Sequence, residues 1–320
     1  MPDHMDMPSR SAPSGSSATA ALPVSIVIAV WGDCGGLEAC LEALAAQRDA
    51  DTQVIVVSNI PLPADFCSRH PWIDRAEASP ALLIPHLWAI GMARSVHPIV
   101  AITTAHFIPA ANYLSMLRRA HARLDAVGIG GAIDPPPNGD SVTWATYFLR
   151  YSTYLGWDSV RAVEDFAGDN ASYKRAVLAL SPDLVDQGFW EQRAHRALVE
   201  RGHRLCFLPE IRLTLSTSFG VRRFCAQRFR HGLQFGRERV ADAGVLARLV
   251  RIVSAPLIPL ILLARIAGRV MRTKRYRGRF LRAFPILGMF VIAWSAGETA
   301  GYLTRSGNSA DASASSARLA

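Results

Sequence analysis

Several large protein classes are excluded by what this sequence lacks. It has only five cysteines in 320 residues, at positions 34, 40, 67, 206 and 225. The number is odd and no two are spaced Cys-x-x-Cys, which argues against a disulfide framework and a structural zinc site. Reduced thiols in a cytosolic compartment fit better. No Gly-x-Gly-x-x-Gly follows a strand-like run. Gly32, Gly35 and Gly36 have the wrong spacing, while Gly128, Gly130 and Gly131 lead into Asp134 and three prolines, as a turn would. A nicotinamide oxidoreductase thereby loses its main support. The first twenty residues are rich in Pro, Ser, Ala and Met without an apolar core, so they do not read as a secretory signal. Residues 1–21 and 306–320 are expected to be disordered. Long apolar runs are also missing. Residues 252–264 and 283–297 give thirteen and fifteen, short of the roughly twenty of an ordinary spanning helix.

What is present suits one medium-sized domain with an appendage, since half of the residues are hydrophobic. The net charge of +9 is regional: residues 222–282 hold sixteen of the 35 Lys and Arg against two acids. Apolar runs flank this basic stretch, so it suits anionic lipid, and no nucleic-acid partner is expected. Val24 to Val30 is a continuous apolar run, as in a buried parallel strand. Leu37, Cys40, Leu41 and Leu44 then mark a helix face, and residues 53–57 a second strand. Together they form a right-handed βαβ unit. Residues 81–96 read as helical despite Pro85, and 99–103 as a third strand ending in Thr104-Ala105-His106. Leu114, Leu117, His121 and Leu124 mark another helix, and 205–208 a short strand ending at Pro209-Glu210. The chain is thus read as an α/β fold with a mostly parallel sheet flanked by helices. Such sheets bind ligands at their strand ends, which draws attention to Thr104 and His106.

Two stretches carry polar chemistry. Gly168-Asp169-Asn170 is a turn with short polar side chains that can face a ligand or fold back on the main chain, with Lys174 and Arg175 close behind. In the helix-like run 189–202, Glu191 sits beside the apolar stripe of Trp190, Ala194, Ala197 and Leu198. A carboxylate shielded from water beside an aromatic ring gains proton affinity, as a general base at neutral pH requires. It could equally complement a helix dipole. Farther on, Gln227-Arg228-Phe229-Arg230-His231 interleaves guanidinium and aromatic groups, a pattern able to clamp phosphates or face anionic lipid.

Over residues 23–235 these pieces resemble the family 2 glycosyltransferases of the GT-A fold. Val24-Ser25-Ile26-Val27-Ile28 with Trp31 is similar to the family's opening strand and its aromatic near the nucleotide base. Residues 37–47 look like its helix closing on a Gln. Gly168-Asp169-Asn170-Ala171-Ser172-Tyr173-Lys174-Arg175 is similar to its acceptor-side segment. The resemblance implies a Rossmann-type sheet and a general base at Glu191. It also implies an acceptor side of Gly168, Asp169, Asn170, Lys174 and Arg175, and a nucleotide pocket with Trp31, Ser58, Asn59, Thr104 and His106. Gln227, Arg228 and Arg230 look like a variant of the phosphate-side box of processive members. Two places depart from the pattern: Ser58-Asn59 stands where the second strand usually ends in Asp, and Thr104-Ala105-His106 where Asp-x-Asp would hold a divalent metal. Mn2+ with His106, Mg2+, or metal-independent action through Lys174, Arg175 or the arginines of 222–239 all remain open.

The implied activity is transfer of a sugar, with inversion, from a nucleotide-sugar donor to a lipid-linked or cell-envelope glycan acceptor. An inactive, membrane-attached scaffold of the same fold is the alternative. Residues 22–240 would form the transferase domain and 241–305 a membrane-associated helical region. Two spanning segments would leave residues 1–240 on the side away from nucleotide-activated donors. Interfacial or re-entrant helices anchored to anionic lipids keep the domain at the cytoplasmic face of the membrane. A buried helical subdomain of a soluble protein is the further alternative.

Overall fold

The computed structural model describes residues 22–216, 220–240 and 243–304. The disordered ends expected at 1–21 and 306–320 lie outside the described residues. Runs rich in Val and Ile make the first half of the sheet. Strand β1 (Val24–Val30) is buried along its whole length, and helix α1 (Leu37–Ala45) follows it with Leu37, Cys40, Leu41 and Leu44 buried. Gln47 then clamps the end of α1: its side-chain amide donates to the carbonyls of Ala43 (2.8 Å) and Ala110 (3.0 Å), and its oxygen accepts from the Leu114 N–H (3.0 Å). Next come β2 (Thr52–Ser58), the short α2 (Phe66–Arg69), β3 (Ile73–Glu77), α3 (Ile84–Arg94) and β4 (Ile99–Thr104). Pro85 lies in the first turn of α3, where its missing N–H costs no helical bond. All pairings among β1 to β4 are parallel.

The second half comprises β5 (Phe107–Pro109), α4 (Tyr113–Arg123), β6 (Gly128–Asp134), α5 (Ser141–Tyr151), β7 (Arg161–Val163), β8 (Ala171–Lys174), α6 (Arg175–Ala179), α7 (Glu191–Glu200) and β9 (Leu205–Leu215). The strand order is β3-β2-β1-β4-β8-β6-β9-β5, with β7 also on β9. Strand β8 runs antiparallel to both β4 and β6, and β5 and β7 run antiparallel to β9, so the sheet is mixed.

Three local expectations are corrected. The glycine cluster at 128–131 is a strand and no turn. Side chains at Gly130 and Gly131 would overlap the Phe166 ring and the Ile211 carbonyl, so glycine here serves close approach between neighbours. Strand β9 continues past Pro209 to Leu215, because the register with β6 jumps from Gly131↔Leu208 to Ala132↔Arg212. The proline falls in that irregularity, where no ladder N–H is needed. Strand β3 precedes the run at 99–103, making that run the fourth strand. Asp74, Arg75 and Glu77 hide β3 from a search for apolar runs.

Helix α8 (Val221–Val240) leads into α9 (Val245–Ser254), α10 (Ile258–Thr273) and α11 (Arg277–Leu303). The stretches Val245–Thr273 and Arg277–Leu303, of 29 and 27 residues, are long and apolar enough by length and composition to cross a membrane. The short runs in the sequence understate them, since Arg248, Arg251 and Arg265 interrupt hydropathy without breaking the helix. α11 packs against α5 and α8, whereas α9 buries no side chain. At the α8–α11 crossing, Gly232 and Gly236 face Gly297 and Gly301. A Cβ on any of the four would overlap backbone of the opposite helix, at Trp294, Glu298, Phe229 and Leu233 respectively. Such small-xxx-small pairs let two helix backbones touch. Glu298, 2% exposed, accepts hydrogen bonds at this crossing from Arg239 (3.0 Å) and the Tyr302 hydroxyl.

Candidate functional site

The C-terminal ends of β1, β2 and β4 share one edge of the sheet and bring Trp31, Asn59 and Thr104 together. Trp31 Nε1 donates to the Leu82 carbonyl (3.1 Å), and the Arg223 guanidinium lies over its ring, 5.7 Å from the centroid. Asn59 Oδ1 accepts from the Gly32 N–H (2.8 Å), and its amide reaches the carbonyls of Pro80 and Leu82 (3.3 Å each). Trp31 and Asn59 line a hollow of about 350 Å³ with Gly32, Pro80, Arg223, Gln227 and Arg230. Ser58 is fully buried and donates to the Ile60 carbonyl (2.7 Å), so it shapes the turn behind the hollow.

The turn Gly168-Asp169-Asn170 enters β8 opposite the end of β4, with Ala171 beside Ile102. Gly168 is closely packed there: an added Cβ would sit 3.1 Å from Cβ and Cγ of Glu191 and 3.2 Å from the Trp88 ring. Glu191 is the first residue of α7. That helix is pinned by the Phe189 N–H donating to the Pro85 carbonyl (2.8 Å) at the start of α3. Burial raises the Glu191 pKa to about 7; contact with its own backbone N–H opposes the shift and the Asp169 charge adds to it. The Glu191 side chain and the turn therefore lie against each other.

Asp169 is 3% exposed. Its Oδ2 accepts from Arg150 Nη2 (2.5 Å) and the Tyr151 hydroxyl (2.8 Å), while Oδ1 has no hydrogen-bond partner among the described residues. Asn170 points elsewhere. Its amide donates to the carbonyls of Ala132 (2.8 Å) and Ile211 (3.0 Å), closing the irregular stretch between β6 and β9. Its acceptor-side role gives way to a structural one. Lys174 and Arg175 are not brought beside Glu191 and Thr104 either. Because β8 runs antiparallel to β4, Lys174 pairs with Ile99 at the far end of that strand, five residues or roughly 16 Å from Thr104.

His106 is 4% exposed, and burial lowers its pKa to about 4, with Asp33 opposing, so the ring is neutral at pH 7. Its carbonyl accepts from the N–H (2.9 Å) and hydroxyl (3.1 Å) of Ser216. The donors at this strand end do not fit a divalent metal. No group of three or more His, Cys, Asp or Glu able to hold an ion occurs among the described residues, whereas Mg2+ wants oxygen ligands and Mn2+ a comparable set. Thr104 Oγ1 is buried there without a hydrogen-bond partner among the described residues.

The cations of α8 divide. Gln227 and Arg230 line the Trp31 hollow. Arg228 lies over the rings of Phe224 (4.9 Å) and Trp294 (5.7 Å), near Arg150, Asp169 and Glu191; burial, then the Arg150 charge, lower its pKa to about 9.

Sequence reasoning missed Arg150 and Tyr151, both on α5. The spacing of Trp144, Tyr147, Phe148 and Tyr151 would have revealed that helix. It also missed the support of α7: His195, fully buried, is hydrogen-bonded to the Tyr173 hydroxyl (2.7 Å) and to Asp165 (2.5 Å), fixing the helix one turn beyond Glu191.

No family model matches this chain, and no curated protein matches it. Among solved structures, the chain is similar to the mannosyltransferase PcManGT from Pyrobaculum calidifontis in complex with GDP-Man and Mn2+. The two are 17% identical, with 94% of this chain and 81% of that one covered and a TM-score of 0.48. It is also similar to GalNAc-T7 with UDP, GalNAc and Mn2+, at 12% identity, covering 63% of this chain and 45% of that one, again with a TM-score of 0.48. The match thus spans less than half the length of the second protein. The mixed sheet with flanking helices and the two apolar C-terminal helices agree with the architecture expected above.

Proposed function

We propose that this protein is a glycosyltransferase that moves a sugar from a nucleotide-diphosphate donor to a lipid-linked or cell-envelope glycan acceptor at the cytoplasmic face of the membrane. The observation that carries the reading is Glu191 packed on Gly168, at the turn that enters β8, with its pKa raised to about 7. A carboxylate so tuned accepts a proton from an acceptor hydroxyl near neutral pH. The hydroxyl oxygen then attacks the anomeric carbon from the side opposite the leaving diphosphate, which inverts its configuration. The hollow beneath Trp31 and Asn59 would take the nucleoside. Purified full-length protein, given labelled UDP-, GDP- and dTDP-sugars with a bacterial lipid extract, is expected to move label from one donor into the lipid phase. If calorimetry shows that no nucleotide sugar binds, with or without Mn2+, the enzyme reading fails and the scaffold reading replaces it.

The membrane location is supported by the exposed apolar face of Val245, Leu246, Leu249, Val253, Leu257 and Leu260 on α9, α10 and their junction, with Arg248, Arg251 and Arg265 on the same stretch. Flotation with phosphatidylglycerol vesicles should recover at least about tenfold more protein than with neutral phosphatidylcholine vesicles, since each surface cation contributes about 1 kcal/mol. Added salt should reduce the difference. Equal recovery on both vesicles would contradict an anionic-lipid anchor.

A further inference from the structure

We infer that the two apolar C-terminal segments lie flat in one leaflet of a membrane and that neither crosses it, a deepening that rests on the membrane location proposed above and not on the transferase chemistry. Length alone permits a crossing: at 1.5 Å per residue the 29 residues of Val245–Thr273 reach about 43 Å, against a hydrocarbon core of about 30 Å. A crossing, however, puts the two ends of a segment on opposite sides. Here both ends are fastened to the same domain.

At the start, Arg248 donates to the Tyr302 carbonyl at the end of α11, and Arg251 to the Arg239 carbonyl at the end of α8. At the far end, Val270 is fully buried in the same apolar core as Trp144 and Phe148 of α5, and the Thr273 methyl group lies 3.5 Å from where a Cβ on Gly156 would sit. The segment thus runs antiparallel along α11, from its last turn back to its first.

α11 is itself held along its whole length. Near its start Phe280 meets Phe148 of α5, with ring centroids 5.3 Å apart; farther on Phe290 meets Phe224 of α8 (4.6 Å), and Gly297 and Gly301 press on α8 backbone. Both partners are tied to the sheet side of the domain. The Tyr147 hydroxyl of α5 donates to the Ile133 carbonyl of β6 (3.2 Å), and Arg223 of α8 pairs with Asp33 after β1. Threading α11 through a bilayer would carry α5, α8 and the ion pairs Arg150–Asp169 and Arg239–Glu298 into hydrocarbon, where charged side chains are strongly disfavoured.

What faces outward is apolar. Leu246, Leu249 and Val253 are exposed on α9, and Leu281, Phe284 and Ile292 on α11. The charged residues of 245–297 are all Lys or Arg, so a second copy of this face would meet like charge, whereas an anionic leaflet offers acyl chains and counter-charges together. The occupant is therefore lipid.

The test is side-specific labelling of the full-length protein in right-side-out and inverted membrane vesicles from an expressing bacterium. Cys34, Cys67 and Cys225 are replaced by Ser, the other two being buried, and one reporter is used at a time: Cys67 restored in the domain, or Gly278→Cys at the start of α11, where a side chain meets open space. A membrane-impermeant maleimide is expected to label both reporters in the same type of vesicle. Labelling of the two from opposite sides would overturn the inference. A second variant joins Leu249→Glu to Val253→Glu, both exposed, so the fold stays intact. It should lower the ratio of membrane-bound to soluble protein at least about tenfold, because a flat helix holds on through those side chains. Unchanged retention, as a spanning hairpin would give, also overturns it. The readings fail separately. A parent protein found only in the soluble fraction removes the membrane location along with the flat placement, and opposite-side labelling of a membrane-bound parent removes the placement alone. Same-side labelling without sugar transfer removes the transferase and keeps the placement.

Discussion

Replacing Glu191 with Gln is expected to lower sugar transfer roughly 10²- to 10⁴-fold while leaving the protein folded. The amide fills the same space against Gly168 but cannot take a proton from the acceptor. In the unsubstituted protein the proposed transfer rate should rise with pH through about 7 and level off above, because Glu191 can accept a proton only when ionised. Stability should move the opposite way. The folded-state pKa of Glu191 is raised above its ordinary 4.5, so its favourable contribution is complete below about pH 4.5 and is lost as pH climbs through about 7. Glu191→Gln should therefore match the parent in thermal unfolding at pH 5 and exceed it at pH 8 by about 1–3 kcal/mol. Undiminished transfer by the variant would remove Glu191 as the base. A variant less stable than the parent at pH 8 would show that the carboxylate has a structural partner instead.

The second large effect concerns the α8–α11 crossing. Gly297→Val is expected to destabilise the protein by about 3 kcal/mol or more, because the new side chain meets the Phe229 carbonyl and backbone cannot swing aside as a flexible side chain would. Gly288, on the same helix, has open space around its missing Cβ. Gly288→Ala should be neutral or stabilising by up to about 1 kcal/mol, from helix propensity alone. Denaturant unfolding and limited proteolysis compare the two directly. Equal behaviour would mean that the helices do not touch through their glycines.

The parts of the fold legible in the sequence are those fixed by local pattern. Val24–Val30 announces itself because both faces of β1 are buried, leaving Ser25, itself buried and bonded to Gln53, as its one polar residue. Glu191 stands out in the sequence as a carboxylate beside aromatic residues, a pattern that a helix-dipole partner shares; its contact with Gly168 exists only in the fold. Lys174 and Arg175 were misplaced for a reason no spacing reveals: the direction of β8 is set by its neighbours, and it carries the residues after the turn away from the cleft. Arg150 stayed hidden because its partner Asp169 is nineteen positions later, on a different element. Glycines deceive most. At 128–131 they suggested a turn but make a strand, and at 232, 236, 297 and 301 their meaning exists only once two distant helices are laid across each other.

That crossing has a mechanical consequence. With backbone against backbone there is no side-chain cushion to absorb displacement, so α8 and α11 move as one stiff lever. The lever is flanked by the exposed apolar side chains of α9, and α8 itself carries Arg228. On the proposed reading of a membrane-bound transferase, a change in bilayer thickness or a swap to detergent would thus shift turnover, even where the substrates bind as tightly as before.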